Sequence, residues 1–436
     1  MQFRSTKAHE PLVSFKDAVL RCLPQNGGLY VPAAVMDLRQ FFLYMNSSTT
    51  YPELVATVAP ALLQGELNPF SASRVAESAF AFEPELIQLD ENFSLLNLCN
   101  GPTGVFKDFG IAFLAAVMEE LLKNNGAAMV VSAVRGDTGV SIAHAFNKRK
   151  NLTSVMLYPS GPIFGLDRAA FVPRGGDIIP VQIKGTFDDC QRLVTEIIRD
   201  RPFSERYNIT SANTINPGRL LAQVLYYLYA FIKIKQTLQG EMIYSVPCGN
   251  FGNLIAGLYA WKFGMPVNGF IAAMNRNNTF DGFIKGKKFT PHLLQSTISP
   301  ALDVGMPSNS ERLLSFYEEA PAVMKNMIFP ISIDDRATQI AMEKVWKKYG
   351  IIIDPHSAVA FAAAEQLSAS RDFSGHVHIV VLCTGHPAKS ADTIANTIGQ
   401  RVKIPERLNI FHKGVDPLAV IEPQLDSLEG AIASCI

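Results

Sequence analysis

From about residue 99 onward, apolar runs of strand length alternate with longer segments of helical spacing. Ala128–Val134, Ser154–Pro159, Asp177–Ile183, Met242–Pro247, Asn268–Met274 and His376–Thr384 are nearly continuous apolar runs. Short runs of that kind predict strands buried on both faces. Between them, apolar residues recur every three or four positions, as in Ile111, Phe113, Leu114, Val117, Met118, Leu121 and Leu122 behind Asp108 as an N-cap. The same spacing predicts helices over Ser141–Lys150, Asp188–Arg199 and Arg219–Lys235. The alternation predicts βα units and an α/β fold of mostly parallel sheets with flanking helices. The first hundred residues read differently. Short helical patterns there are broken by Pro24–Gly28, by Ser47–Thr50 and by scattered prolines. The expected division is an N-terminal lobe, residues 1–95, followed by a catalytic region, residues 96–436, of two α/β subdomains.

Composition narrows the function. The 436 residues suffice for two or three domains, and 48% hydrophobic against 18% charged residues argues against a disordered chain. Lys and Arg balance Asp and Glu at 39 each, so net charge makes no case for nucleic acid or an acidic membrane. The cysteines, Cys22, Cys99, Cys190, Cys248, Cys383 and Cys435, show no CxxC and no Cys/His ligand spacing. Neither a disulfide framework nor a metal site is expected. The most apolar long run, Leu220–Ile234, holds Gln223, three tyrosines and Lys233, and reads as a buried helix rather than a membrane span. The N-terminus, MQFRSTKAHEP, has no apolar signal core. The expectation is a cytoplasmic protein, monomer or homodimer, that acts on a small molecule.

In α/β sheets, sites gather at the carboxyl ends of strands. Four polar, glycine-containing segments fall at such ends or at helix starts: Gly101–Gly110, Arg135–Gly139, Cys248–Asn253 and Thr384–Lys389. Pro247–Asn253 (PCGNFGN) lies between a strand and a helix. Its glycines suit an anion held on backbone N–H groups, but it lacks the Lys and Ser/Thr of a Walker loop and the spacing of GxGxxG. It reads either as a phosphate seat or as a plain turn. In Gly101–Gly110 (GPTGVFKDFG), Lys107 stands beside Phe106 at a helix start. A lysine whose amine is kept neutral forms Schiff bases; a solvated first-turn lysine is the plainer reading. Thr384 sets a hydroxyl at the end of the last strong strand, and His386 reads as a catalytic or a capping residue.

Together these segments resemble the threonine synthase family of fold type II pyridoxal-phosphate enzymes, relatives of the tryptophan synthase β-subunit. The resemblance runs nearly end to end, through VSFKDAVLRCLPQNGGLYVP, GPTGVFKDFG, SANTINPGRLLAQ, VPCGNFGN, LDVGMPSN, DPHSAVAF and TGHPAK. It implies pyridoxal 5'-phosphate as cofactor, carried by Lys107, with Phe106 beside it. It implies a cofactor-phosphate loop of Gly249, Asn250, Phe251, Gly252 and Asn253, with Thr384 at the pyridine nitrogen and Asp137 beside the 3-hydroxyl. It implies Asn213, Thr214 and Arg219 around the phosphate of a phosphorylated amino-acid substrate, with Thr138 and Arg135 in the loop that grips its carboxylate. The implied reaction eliminates phosphate and adds a nucleophile: water on O-phospho-L-homoserine in threonine synthases.

The sequence departs from the family where the substrate would sit. Ala-Thr-Ser-Gly-Asp-Thr-Gly is the family pattern; this chain has Ala133-Val134-Arg135-Gly136-Asp137-Thr138-Gly139. Pro162 and Asp167-Arg168-Ala169 replace a Lys and a Gln-Glu-Lys further on. An arginine in that loop must meet an anion, pair with a carboxylate such as Asp137, or turn to water. If it meets an anion, a second reaction enters: replacement on O-phospho-L-serine with sulfite, as in cysteate synthase. A non-catalytic cofactor binder is the reading from another class, and the retained Lys107 argues against it. A dinucleotide oxidoreductase lacks its GxGxxG.

Overall fold

The computed structural model describes all residues except 8–9, 64, 125, 161–176, 285–292, 372–374, 410–416 and 435–436. Pro162 and Asp167–Ala169 lie outside the described residues. The N-terminal lobe holds a small antiparallel sheet, β1 (Gln2–Ser5), β2 (Val13–Ser14) and β3 (Tyr30–Pro32), which the helical reading of this region missed. The next strands are β4 (Glu85–Gln88), β5 (Phe93–Asn97), β6 (Ala128–Ala133), β7 (Leu152–Pro159) and β8 (Ile178–Ile183). They are followed by β9 (Ile209–Thr210), β10 (Glu241–Pro247), β11 (Gly269–Met274), β12 (Ile328–Ser332), β13 (Val377–Cys383) and β14 (Ala419–Ile421).

Two larger sheets result. One has the order β12-β11-β10-β13-β5-β4 and is parallel except for the antiparallel edge strand β4. The other, β14-β8-β7-β6-β9, is all parallel. The continuous apolar strands have the predicted cause. On β13, Val380 and Leu382 face a core shared with helices Lys107–Leu122 and Pro217–Ile234, while Ile379, Val381 and Cys383 face one shared with Pro355–Ser370. A strand covered on both sides cannot alternate polar with apolar residues. The division expected at residue 95 falls inside β5, because β4 and β5 pair into the six-stranded sheet.

Two local expectations are corrected. Asp108 is not an N-cap: the helix starts at Lys107, and the Asp108 carboxylate accepts from Thr103 N at 2.8 Å and Thr103 Oγ1 at 2.6 Å, closing the preceding turn. The helix expected over Ser141–Lys150 spans Asp137–Phe146, so Asp137 and Thr138 lie in its first turn. Among the described residues no helix is long and apolar enough to cross a membrane.

One buried cation holds three chain segments together. Arg312, with no exposed surface, donates from Nε to Tyr30 O (3.0 Å), from one terminal nitrogen to Thr214 O and Asn309 Oδ1 (2.6 Å each), and from the other to Ile215 O (2.6 Å). The planar fork of arginine suits four acceptors in this arrangement, and an ammonium does not. Arg312→Met strands those acceptors in the interior and should cost about 2–4 kcal/mol, read from urea unfolding. Arg312→Lys should recover little of it. An unchanged urea midpoint in Arg312→Met would refute the bracing role.

Candidate active site

The loops that carry the candidate residues leave the carboxyl ends of strands in both sheets. The segments after β5 and β13 are laced together: Phe106 N donates to Thr384 O at 3.1 Å, His386 N to Gly104 O at 2.8 Å, and Val105 and Gly385 form an isolated bridge. This lacing sets Lys107, the first residue of its helix, next to Thr384. His386 is a capping residue here, with Nδ1 accepting from Ala388 N at 3.1 Å. Gly110, one turn after Lys107, lets the helix Pro217–Ile234 come close: a Cβ there would lie 2.9 Å from Arg219 O and 3.1 Å from Arg219 Cγ. Lys107 and Arg219 are therefore brought to the same region by helix packing.

The loop after β10 ends in the helix Gly252–Lys262. Phe251 stands in the left-handed region at φ 58°, and a Cβ on Gly249 would meet Ala301 O at 2.9 Å. That turn leaves the first-turn N–H groups of the helix without intrahelical partners. Side chains brace it. Asn250 Oδ1 accepts from Ser308 Oγ at 2.8 Å, and Asn253 Oδ1 accepts from Tyr227 Oη at 2.8 Å. Thr214 Oγ1 accepts from both Asn250 Nδ2 (3.1 Å) and Asn309 Nδ2 (3.0 Å), which leaves its own hydroxyl proton to donate, with Ser308 Oγ at 3.5 Å.

Positive charge dominates the cleft. Burial pulls the Lys107 amine down to about 8; Asp137 opposes that, while Arg219, Lys389 and Arg135 add to it. The positive end of the helix dipole also disfavours an ammonium at its first residue. Arg219 is 3% exposed and sits in the first turn of its helix, again against the dipole. Among the described residues it makes one hydrogen bond, to Ala212 O at 2.8 Å, and its Nε has no partner. Burial lowers it to about 10. Burial would raise the Asp137 carboxyl, but Lys389 and Lys107 outweigh it and hold it at about 2. Lys389 Nζ is 2.6 Å from Asp137 Oδ1.

The structure thus gathers Lys107, Phe106, Asp137, Thr138, Arg219, Thr214, Thr384 and the 249–253 loop. Two residues stand otherwise than expected. The Asn213 amide is engaged with β6, accepting from Ala133 N at 2.9 Å and donating to Ala133 O at 2.8 Å, so it orders the loop that follows. Arg135 does not pair with Asp137, whose place is taken by Lys389. Its guanidinium lies over the Phe187 ring at 5.1 Å, and among the described residues the opposing charges acting on it are Asp303 and Asp188. Sequence reading passed over Lys389 and Arg312. TGHPAK contained the first, but nothing in the spacing shows that its side chain crosses to Asp137.

An aldehyde cofactor with a phosphate needs an amine that loses its proton near neutrality, an anion seat and a partner for its ring nitrogen. Lys107 meets the first need and the head of the helix Gly252–Lys262 the second. The Thr384 hydroxyl, which has no hydrogen-bond partner among the described residues, meets the third. The buried, unpaired Arg219 Nε adds a place for an anion. These residues fit pyridoxal 5'-phosphate.

The Lys107 value has a measurable consequence. A group near 8 is about one-tenth neutral at pH 7, against far less than a thousandth at the usual 10.5, and the neutral fraction grows with pH. Trace acetylation of the cofactor-free protein across pH 6–11, followed by peptide mapping, should show Lys107 reacting with a midpoint well below the other lysines. A midpoint near 10.5 would contradict the charge analysis.

Comparison with known proteins agrees with this geometry. A family model for pyridoxal-phosphate dependent enzymes matches residues 87–385, and models for the threonine synthase N terminus and C-terminal region match residues 2–80 and 357–432. Threonine synthase of Escherichia coli (strain K12) is 34% identical over 411 residues, 94% of each chain. That of Buchnera aphidicola from Schizaphis graminum is 33% identical over 409 residues, 94% of each. The crystal structure of threonine synthase from Escherichia coli superposes with a TM-score of 0.88 at 31% identity, covering all of both chains. A PLP-bound threonine synthase from Brucella melitensis superposes at 0.87 and 28% identity, covering 100% of this chain and 99% of that one. The relatives do not favour the cysteate synthase alternative. With these matches spanning nearly its full length, the chain belongs to the threonine synthase family of pyridoxal-phosphate dependent enzymes.

Proposed function

We propose that this protein converts O-phospho-L-homoserine and water into L-threonine and phosphate. The observation that carries the reading is Arg219, a guanidinium buried at a helix start with an unpaired Nε, brought by Gly110 beside the helix that begins at Lys107. A buried cation without a counter-charge is costly, and a phosphate offsets that cost with the bidentate geometry arginine favours.

Pyridoxal 5'-phosphate, when bound, supplies the carbonyl that links to the substrate amine and the ring that spreads carbanion charge. Lys107 would carry the cofactor, and its Nζ is the atom that would move the α-proton. An amine near 8 suits both donation and removal of a proton near neutrality. The backbone of Gly249, Asn250, Phe251, Gly252 and Asn253 seats the cofactor phosphate, and Phe106 and Asp137 flank it. Thr384 meets the ring nitrogen with a hydroxyl, which leaves that nitrogen largely unprotonated. Arg219 and the Thr214 hydroxyl hold the leaving phosphate, while Asn213 keeps the loop after β6 in place. In that loop Thr138 and Arg135 face the substrate carboxylate. The N-terminal lobe is best ended before β4, and a cytoplasmic monomer or homodimer remains our reading.

The test is phosphate release coupled to threonine formation. O-Phospho-L-homoserine should give both, and O-phospho-L-serine with sulfite should give neither at comparable rate. The reverse pattern overturns the reading. Arg219→Ala should lower kcat/KM about ten- to a hundred-fold, the loss of a charge-assisted bond of about 1.5–3 kcal/mol, while cofactor still binds. Lys107→Ala should abolish turnover, and borohydride reduction with peptide mapping should find the cofactor on Lys107 alone.

A further inference from the structure

We propose that Lys389 is a positioning residue of this active site: its ammonium claims Asp137 across the cleft and so keeps Lys107 out of an ion pair with that carboxylate. The inference rests on the reading of Lys107 as the cofactor-bearing lysine.

The geometry is specific. Lys389 follows β13 of the six-stranded sheet, in the short turn Pro387–Ser390. Asp137 opens the helix after β6 of the five-stranded sheet. The 2.6 Å contact therefore joins loops from two sheets, 252 residues apart in sequence. Both side chains are mostly enclosed, at 19% and 23% relative exposure, so water does not dilute the pair as it would at the surface. The turn is held at both ends: His386 N donates to Gly104 O, and Lys389 N to His386 O at 3.0 Å. The same lacing holds the segment that leads into Lys107, so the backbones that carry the two lysines are tied to one another.

The charges around each group decide what this contact does. Asp137 faces Lys389, Lys107 and His356. Lys107 faces Asp137, Arg219, Lys389 and Arg135. Asp137 is thus the anion for which two lysines compete. Were Lys107 to take it, an ion pair would hold the amine protonated and turned from the substrate. With Lys389 in that place, the negative charge stays in the site, where its helix start needs it, and Lys107 stays free to lose its proton. Lys389 touches neither the substrate nor the moving proton; it acts through Asp137.

A merely structural bridge between two sheets would change stability, not the titration of Lys107. Removal of the Lys389 charge takes away a repulsion and releases an attraction, and both raise the pKa of Lys107. In Lys389→Met the acetylation midpoint of Lys107 in the cofactor-free protein should rise by about 1–2 units. The acidic limb of the kcat/KM profile should move to higher pH by the same amount, with activity recovered at alkaline pH. Lys389→Arg, which keeps the charge, should leave both near wild type. Adding Asp137→Asn to Lys389→Met removes the attraction along with the repulsion, and should return the midpoint to within about half a unit. If Lys389→Met does not fold, Lys389→Gln, which keeps a hydrogen bond but no charge, must raise the midpoint in the same direction. An unmoved Lys107 midpoint in a folded, charge-free variant overturns the proposal, as does an equal shift in Lys389→Arg. Failure of the underlying reading shows separately, as borohydride-fixed cofactor on a lysine other than Lys107; the acetylation midpoint is read without cofactor and does not depend on it.

Discussion

The structure depends on an excess of enclosed positive charge. Lys107, Arg219, Lys389 and Arg135 act on one cleft, and among the described residues Asp137 is the carboxylate that opposes them at Lys107. Two of these cations, Lys107 and Arg219, stand at helix starts, where the dipole makes their charge more expensive. Nothing about folding alone favours such an arrangement. Apolar side chains at the same places would cost less. The excess is sustained because the surrounding frame is rigid enough to hold the cations in place, and it makes the site a receptor for anions. An anionic occupant that binds only the folded chain then returns stability to it.

The rigidity has identifiable sources. Arg312 uses its guanidinium on three backbone carbonyls and one amide oxygen, fixing the segment that contains Thr214. Asn216, fully buried, donates to Val19 O at 2.9 Å and Ser211 O at 2.9 Å, and accepts from Gly218 N at 3.0 Å. Asn213 does the same for the end of β6. Behind Thr384, the buried Asp354 accepts from Ser357 Oγ, which in turn accepts from Thr384 N at 3.2 Å. Each tie consumes polar groups that would otherwise be unpaired in the interior, so the order of the site and the satisfaction of its hydrogen bonds are one requirement. The N-terminal lobe takes part: Tyr30 and Val19 provide two of the anchoring carbonyls.

Much of this was legible in the sequence. The six apolar runs are all strands, because a doubly covered parallel strand has a pattern little else produces. In the two larger sheets β4, β5, β9, β12 and β14 were not anticipated. β4 is a short edge strand with polar ends, and β12 carries Pro330, which a strand reading penalises. Asp108 was misplaced for a specific reason. A carboxylate before an apolar helix usually caps that helix, whereas this one closes the turn behind it. At the site, residue types alone left Lys107 and the glycine loop open between a functional and a plain reading, and the order of several segments together carried the resemblance that pointed to the chemistry. Contacts between distant side chains were invisible. Lys389 with Asp137, and Arg312 with Tyr30 and Thr214, are set by how two sheets meet, and no local spacing encodes that.

Arg135 shows how the charge excess bears on substrate preference. Asp137, one of the partners weighed for it, is already held by Lys389, and the guanidinium rests on Phe187 at 5.1 Å. A ring face can offset about 0.5–2 kcal/mol of a partly desolvated cation's cost, and leaves the in-plane donors unspent. Asp303, the first of the acidic charges acting on Arg135, cannot easily swing to meet it. One of its oxygens already accepts from Asn275 and Thr297 at 2.8 Å and Asn277 at 3.0 Å, and the other from Thr297 N at 3.2 Å. Among the described residues Arg135 is thus held by an aromatic platform and a fixed field, not by a salt bridge. Together with Arg219 it gives two guanidinium groups on different elements, each with donors unspent among the described residues. That arrangement favours a ligand with an anionic group at each end over one with a single charge. On the proposed reading, those two groups are the carboxylate and the phosphate of one phosphorylated amino acid.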